Sequence, residues 1–172
     1  MALQTYDPVV AAAKYATNLY EALKASGAQI NNDKRIEARG LYSRARQFPS
    51  LLAQSGLIPV AAFSIAKTED LMTIDEAFEV YAGLRIRSER LKKESSENGG
   101  GYAAMAGLIA RVLIDLEVCK PEQGPVAVFL SKCLVDLSQN GKLLTTESIV
   151  LTVIQEFKKY IEAFVAKPER EE

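Results

Sequence analysis

Apolar residues return at intervals of three and four along most of the chain, and this spacing predicts helices. Val9, Ala12, Ala13, Ala16, Leu19, Tyr20 and Leu23 form one stripe. Asp7-Pro8 opens that helix, with an acid at the N-cap and proline at the first position, and Gly27 closes it after Ser26. A polar linker, GAQINND, leads to a second helix over 33–48, with Asp33 as its N-cap and Glu37 in its first turn. There Ala38, Leu41, Ala45 and Phe48 share a face. Arg35, Arg39 and Arg46 fill a narrow sector beside it, with Tyr42 between the two. Pro49 ends or kinks this helix. Leu51, Leu52, Leu57, Ile58 and the apolar run 60–66 continue with helical character, broken at Gly56.

A longer helix is predicted over 70–94, capped near Thr73 or Asp75. Its first half is amphipathic through Ile74, Phe78, Tyr81 and Ala82, and its second half, LRIRSERLKKE, is mostly charged. Residues 95–101, ending in three glycines, read as a flexible loop. A largely apolar helix over 102–118 is expected at the centre of the core. A turn from Lys120-Pro121 to Gly124-Pro125 precedes a short helix over 126–138, closed by Asn140-Gly141. Thr145-Thr146-Glu147 reads as a capped start for a last helix over 149–166, which Pro168 stops. The tail 168–172 reads as frayed. No strand-period alternation of useful length and no repeat stands out. The expected fold is an all-α bundle of six or seven helices in one domain over 1–172.

Composition narrows the chemistry. The chain has 172 residues, 48% hydrophobic and 25% charged, ordinary for a globular protein able to bury a core without metals or disulfides. No apolar run approaches the length needed to span a bilayer, and MALQTYDPVV lacks the basic flank and cleavage site of a signal peptide. The two cysteines, Cys119 and Cys133, sit apart in apolar contexts and read as reduced, buried thiols of a cytoplasmic protein. The complete lack of histidine excludes every imidazole-based catalytic scheme and the commonest transition-metal ligand. A zinc site is equally disfavoured without CxxC, and the acids are too scattered to read as a magnesium site. No cofactor is expected.

Charge is distributed unevenly. Net charge is only -1, yet ten of the 21 basic residues lie in two short segments. Lys34, Arg35, Arg39, Arg44 and Arg46 form the first, and Arg85, Arg87, Arg90, Lys92 and Lys93 the second; each contains a single acid, Glu37 or Glu89. Local basic patches on a near-neutral protein suit contact with a polyanion, and the arginine fork grips phosphate through two hydrogen bonds. Tyr42 could stack on a base or sugar. Against this, charged helix faces are commonly just solvated, above all in the second segment, whose charges spread around the helix. Gly99-Gly100-Gly101-Tyr102 lacks the phosphate-loop pattern and reads as a linker. Asp75, Glu76 and Glu79 suit a helix start through the macrodipole. Asp115 and Glu117 diverge on a helix and form no acid–base pair. Neither cysteine has a base partner.

Residues 39–67 carry a family resemblance. They read Tyr42, Arg44 and Arg46, then Phe48-Pro49, Leu51-Leu52, Ser55-Gly56-Leu57, Ala62-Phe63 and Ala66-Lys67. This order resembles the small-subunit family of type III-B CRISPR effector complexes (the Cmr, RAMP-module complexes). The last helix, EFKKYIEAFVA, is similar to that family's terminal helix, although tryptophan is often found there and this chain has none. Between Leu71 and Gly141 the likeness extends only to helical character. Small subunits of type III-A or type I-A complexes look similar at this level.

The resemblance implies a non-catalytic helical subunit that stacks head to tail into a short filament beside other RAMP-type subunits. Together they would form a channel for CRISPR RNA and its target RNA. Candidate phosphate-binding residues are Arg39, Arg44 and Arg46, with Lys67, Lys158 and Lys159 as neighbours and Arg35 as a flank. Such contacts would be independent of sequence and sensitive to salt. The alternatives are a structural bundle that touches only protein partners and, less favoured, a carboxylate-dependent nuclease.

Overall fold

The computed structural model describes residues 5–169. Among them are eight helices and no strand, so the bundle is all-α with one helix more than the upper expectation. They are α1 Pro8–Ala25, α2 Arg39–Ser55, α3 Leu57–Lys67, α4 Leu71–Tyr81, α5 Glu89–Ser96, α6 Tyr102–Asp115, α7 Val126–Gln139 and α8 Leu143–Phe164. None is long and apolar enough to cross a membrane.

The extra helix comes from residues 70–94, which do not form one continuous helix. Asp70 caps α4 by accepting from the Met72 amide, so neither Thr73 nor Asp75 is the cap. The chain leaves the helix after Tyr81, with Gly83 at a φ of 77°, and Ser88 caps α5 by accepting from the Leu91 amide. Asp75 instead accepts from the Val126 amide at 2.7 Å, capping α7 across space. Such long-range caps leave no mark in local spacing.

The start of α2 is also corrected. Asp33 is not the cap, because the segment before α2 turns on itself and pairs at Ile36 with the far end of α8. The Ile36 amide donates to the Phe164 carbonyl at 2.9 Å, and the Ala166 amide donates back to the Ile36 carbonyl at 2.8 Å. Ile36 has both backbone groups satisfied there, and the Asn31, Lys34 and Glu37 amides are satisfied within residues 29–35, so the segment gains little from joining a helix. Pro49 lies inside α2, which continues to Ser55 and stops at Gly56, where φ is 86°.

Helix α6 is the axis of the core: every residue from Tyr102 to Leu113 is buried. Its alanines and Gly107 admit close neighbours. A Cβ on Gly107 would stand 2.7 Å from Ala77 Cβ on α4.

The glycine run before α6 is likewise packed, not a flexible linker. Ser95 and Ser96 complete α5, and Gly100 and Gly101 are buried against Gly40 of α2. A Cβ on Gly100 would collide with the Glu94 carbonyl oxygen, and one on Gly101 would fall 2.5 Å from that of Gly40. Gly101 also has a φ of 96°. Only hydrogen fits where these backbones cross.

Two further corrections concern the C-terminal half. Cys119 and Cys133 are joined in a disulfide, with Cα atoms 5.7 Å apart, instead of being free thiols. Helix α6 ends at Asp115, and the chain leaves it through Glu117 at a φ of 60°. Closing a loop of this length removes about 3 kcal/mol of entropy from the unfolded chain. Helix α8 begins at Leu143, so Thr146 lies inside it and donates to the Lys142 carbonyl. Glu147 reaches across to accept from the Leu57 amide at 2.5 Å, at the start of α3. Of the tail read as frayed, 170–172 lie outside the described residues.

Candidate nucleic-acid interface

The structure sorts the candidate cations by what each already holds. Arg39 opens α2, is exposed, and makes no hydrogen bond or ion pair among the described residues. Arg46, seven residues on, is exposed with its guanidinium 5.8 Å from the Tyr42 ring centroid. Seven residues bring the helix back to nearly the same face, roughly 10 Å further along its axis. Arg39 and Arg46 therefore form a two-turn row.

Arg44 does not belong to that row. It is 5% exposed, donates to the Tyr102 hydroxyl at 2.6 Å and to Gln47 Oε1 at 3.1 Å, and lies over the Tyr102 ring. It fastens α2 to α6 and presents no charge to a ligand. Its stem packs on the glycine crossing, where a Cβ on Gly101 would stand 2.8 Å from Arg44 Cγ. Tyr42 is also corrected: at 6% exposure its ring is packed in the core and cannot receive a base.

Arg35 is exposed, and its Nε donates to the Ala163 carbonyl at 3.0 Å, binding the extended segment to the end of α8. Lys67 ends α3, exposed, with Nζ 5.5 Å from the Phe63 ring centroid. Phe63, part of the apolar run 60–66, is itself 42% exposed, a solvent-facing aromatic. Lys158 pairs with Glu162 at 3.6 Å and Lys159 with Glu156 at 2.9 Å, so both carry local acidic partners on α8.

In the second basic segment, Arg85 and Arg90 are consumed internally. Glu76 on α4, with 8% of its side chain exposed, receives Arg85 at 3.6 Å, Arg90 at 3.3 Å and the Ser88 hydroxyl at 3.0 Å. Glu79 takes Arg85 at 2.8 Å and Asp70 takes Arg90 at 3.2 Å. Lys92 and Lys93 pair weakly with Glu89 and Glu97. Arg87 is exposed and unpaired among the described residues.

Comparison with protein-family models, curated proteins and solved structures finds no significant match.

Two features beside the row were not foreseen. Arg39 lines a cleft with Lys92 of α5 and Lys167 beyond α8. Lys167 has no motif around it; only the backbone pairing at Ile36 brings it near α2. Along α3, Ile58, Pro59, Ala62, Phe63 and Ala66 are all exposed, leaving an apolar outer face that ends at Lys67.

Titration behaviour is concentrated at buried groups away from the row. Burial pushes Glu94 above the usual carboxylate range, opposed by backbone amides at the start of α6, of which Ala103 donates at 2.9 Å. Burial also raises Tyr6 and Tyr15; the Tyr15 hydroxyl donates to Asp115 at 2.5 Å. Among the described residues no group of His, Cys, Asp or Glu could hold a metal ion.

Proposed function

We propose that this chain is a non-catalytic helical subunit of an RNA-guided CRISPR effector of the type III-B kind. In that role it stacks with copies of itself beside RAMP-type subunits and touches guide and target RNA through the α2 row. The observation that carries the reading is Arg39 and Arg46 exposed on one face of α2, within the same stretch that holds the family resemblance. Lys67 and Arg35 extend the basic surface, and Lys158 and Lys159 contribute less because each has an acidic partner. Contacts of this type read phosphate and not base, as a subunit accepting any guide requires. Small subunits of type III-A or type I-A complexes would share this role.

The test has two parts. Purification of the tagged protein from its host should recover short CRISPR RNAs and RAMP-type subunits; unrelated partners and no guide RNA would sink the assignment. Charge reversal, Arg39→Glu with Arg46→Glu, should weaken RNA association of the assembled complex without changing the melting temperature. The salt slope should fall by roughly 0.7 for each phosphate no longer neutralised. An unchanged slope and affinity would remove the row from the interface.

A second reading is a subunit whose contacts are all to protein, favoured by the apolar outer face of α3. It differs in expecting no RNA crosslinks at Arg39 or Arg46 inside the complex.

A further inference from the structure

We propose that the cleft between the start of α2, helix α5 and the segment after α8 binds phosphate, with Arg39, Lys92 and Lys167 as its cations. Only the source of that phosphate, an RNA strand, rests on the function proposed above. The cleft has a volume of about 540 Å³, within the range of small-ligand sites. Its three cations come from three elements far apart in sequence, so no local helix pattern explains their meeting.

Two devices hold them together. The backbone pairing of Ile36 with Phe164 and Ala166 sets Lys167 beside the start of α2. The crossing of Gly40 with Gly100 fixes α5 against the same end of α2. The cations are thus delivered by rigid backbone, which lowers the ordering cost of binding. They are also largely unspent. Arg39 and Lys167 make no hydrogen bond or ion pair among the described residues, and Lys92 reaches only Glu89, at 3.7 Å. This contrasts with Arg85 and Arg90, whose acids are close.

Glu37 and Glu169 also line the cleft, leaving a formal surplus of one positive charge (three cations against two acids). That surplus fits one phosphodiester, not a bare polyphosphate. Ala38, Ala166 and Pro168 give the wall an apolar portion suited to the sugar beside such a phosphate.

The test titrates the full chain, at low salt, with inorganic phosphate, a mononucleotide and a short single-stranded RNA. Wild type is set beside the pair Lys92→Gln with Lys167→Gln, and beside Lys120→Gln with Lys142→Gln as a control on other elements. The cleft pair should weaken RNA binding about tenfold and lower the salt slope by roughly 0.7, the effect of one phosphate left unneutralised, with the control unchanged. Melting curves of both pairs should match wild type, since all four side chains are solvent-facing or half-buried. If RNA binding survives the cleft pair but falls with Arg46→Ala, the cleft is overturned and the α2 row stands. If the mononucleotide or phosphate binds and is lost in the cleft pair while RNA never binds, the cleft stands and the RNA reading falls. No binding of any probe overturns the cleft.

Discussion

The two basic segments look alike in sequence, each with five cations and one acid, and the structure commits different shares of them to internal contacts. Within residues 85–93, Arg85 and Arg90 form a structural clamp with Ser88: Glu76 draws all three inward and fixes the turn between α4 and α5. Residues 34–46 keep Arg39 and Arg46 outside and commit only Arg44 to the interior. Local charge density does not separate these cases. What separates Arg85 and Arg90 from Arg39 is that another element brings a carboxylate within reach of them, whereas Arg39 has no ion pair among the described residues.

The joint between the two regions is the most fragile place to break the comparison. Gly100→Ala should destabilise by more than about 4 kcal/mol or prevent folding, because its Cβ would collide with the Glu94 carbonyl in a buried backbone crossing. A denaturant midpoint within experimental error of wild type would show that the crossing has room to spare.

Glu76→Ala comes next. Removing the acceptor shared by Arg85, Arg90 and Ser88 should cost about 2–3 kcal/mol, less than a fully buried pair because both arginines are partly solvated. The clamp would be refuted by a loss below roughly 0.5 kcal/mol, the range of ordinary surface substitutions.

Arg44→Ala and Arg46→Ala sharpen the contrast within α2. The first strips the Tyr102 hydroxyl of its donor and should cost about 1–3 kcal/mol. The second should leave stability within about 0.5 kcal/mol and act only on RNA. Equal melting temperatures for both variants would erase the distinction between inner and outer arginines.

The smallest effect is a pH dependence at Glu94. Its pKa is raised in the folded state above the ordinary 4.5, so the folded protein holds this proton more tightly than the unfolded chain. The associated stability is full below pH 4.5 and is lost as pH rises through the folded value. Glu94→Gln keeps an acceptor for the Ala103 amide and removes the titration. The stability difference, variant minus wild type, should therefore grow as pH rises across that window. A difference independent of pH would mean the carboxyl is solvated.

Most of the all-α architecture could be read from spacing alone, because Ala12, Leu19 and Leu23 or Val150, Ile154 and Phe157 repeat at helical intervals on faces that are buried. What escaped were interactions between elements. Asp75 and Glu147 read as local first-turn acids and turned out to cap α7 and to meet the start of α3. The glycine run read as slack because flexibility and tight backbone crossing use the same residue. For the candidate site, Arg39 and Arg46 could be placed by helical phase, whereas Arg44 two residues away was buried by a tyrosine 58 positions on. Lys167 had no local signature at all.

The Cys119–Cys133 bond gives the chain a covalent shape that its sequence order hides. Residues 119–133 form a closed ring, so a protease cut inside that span leaves one molecule of unchanged mass apart from the added water. The nick would be invisible on a non-reducing gel, and two fragments would separate only after a reductant opened the ring.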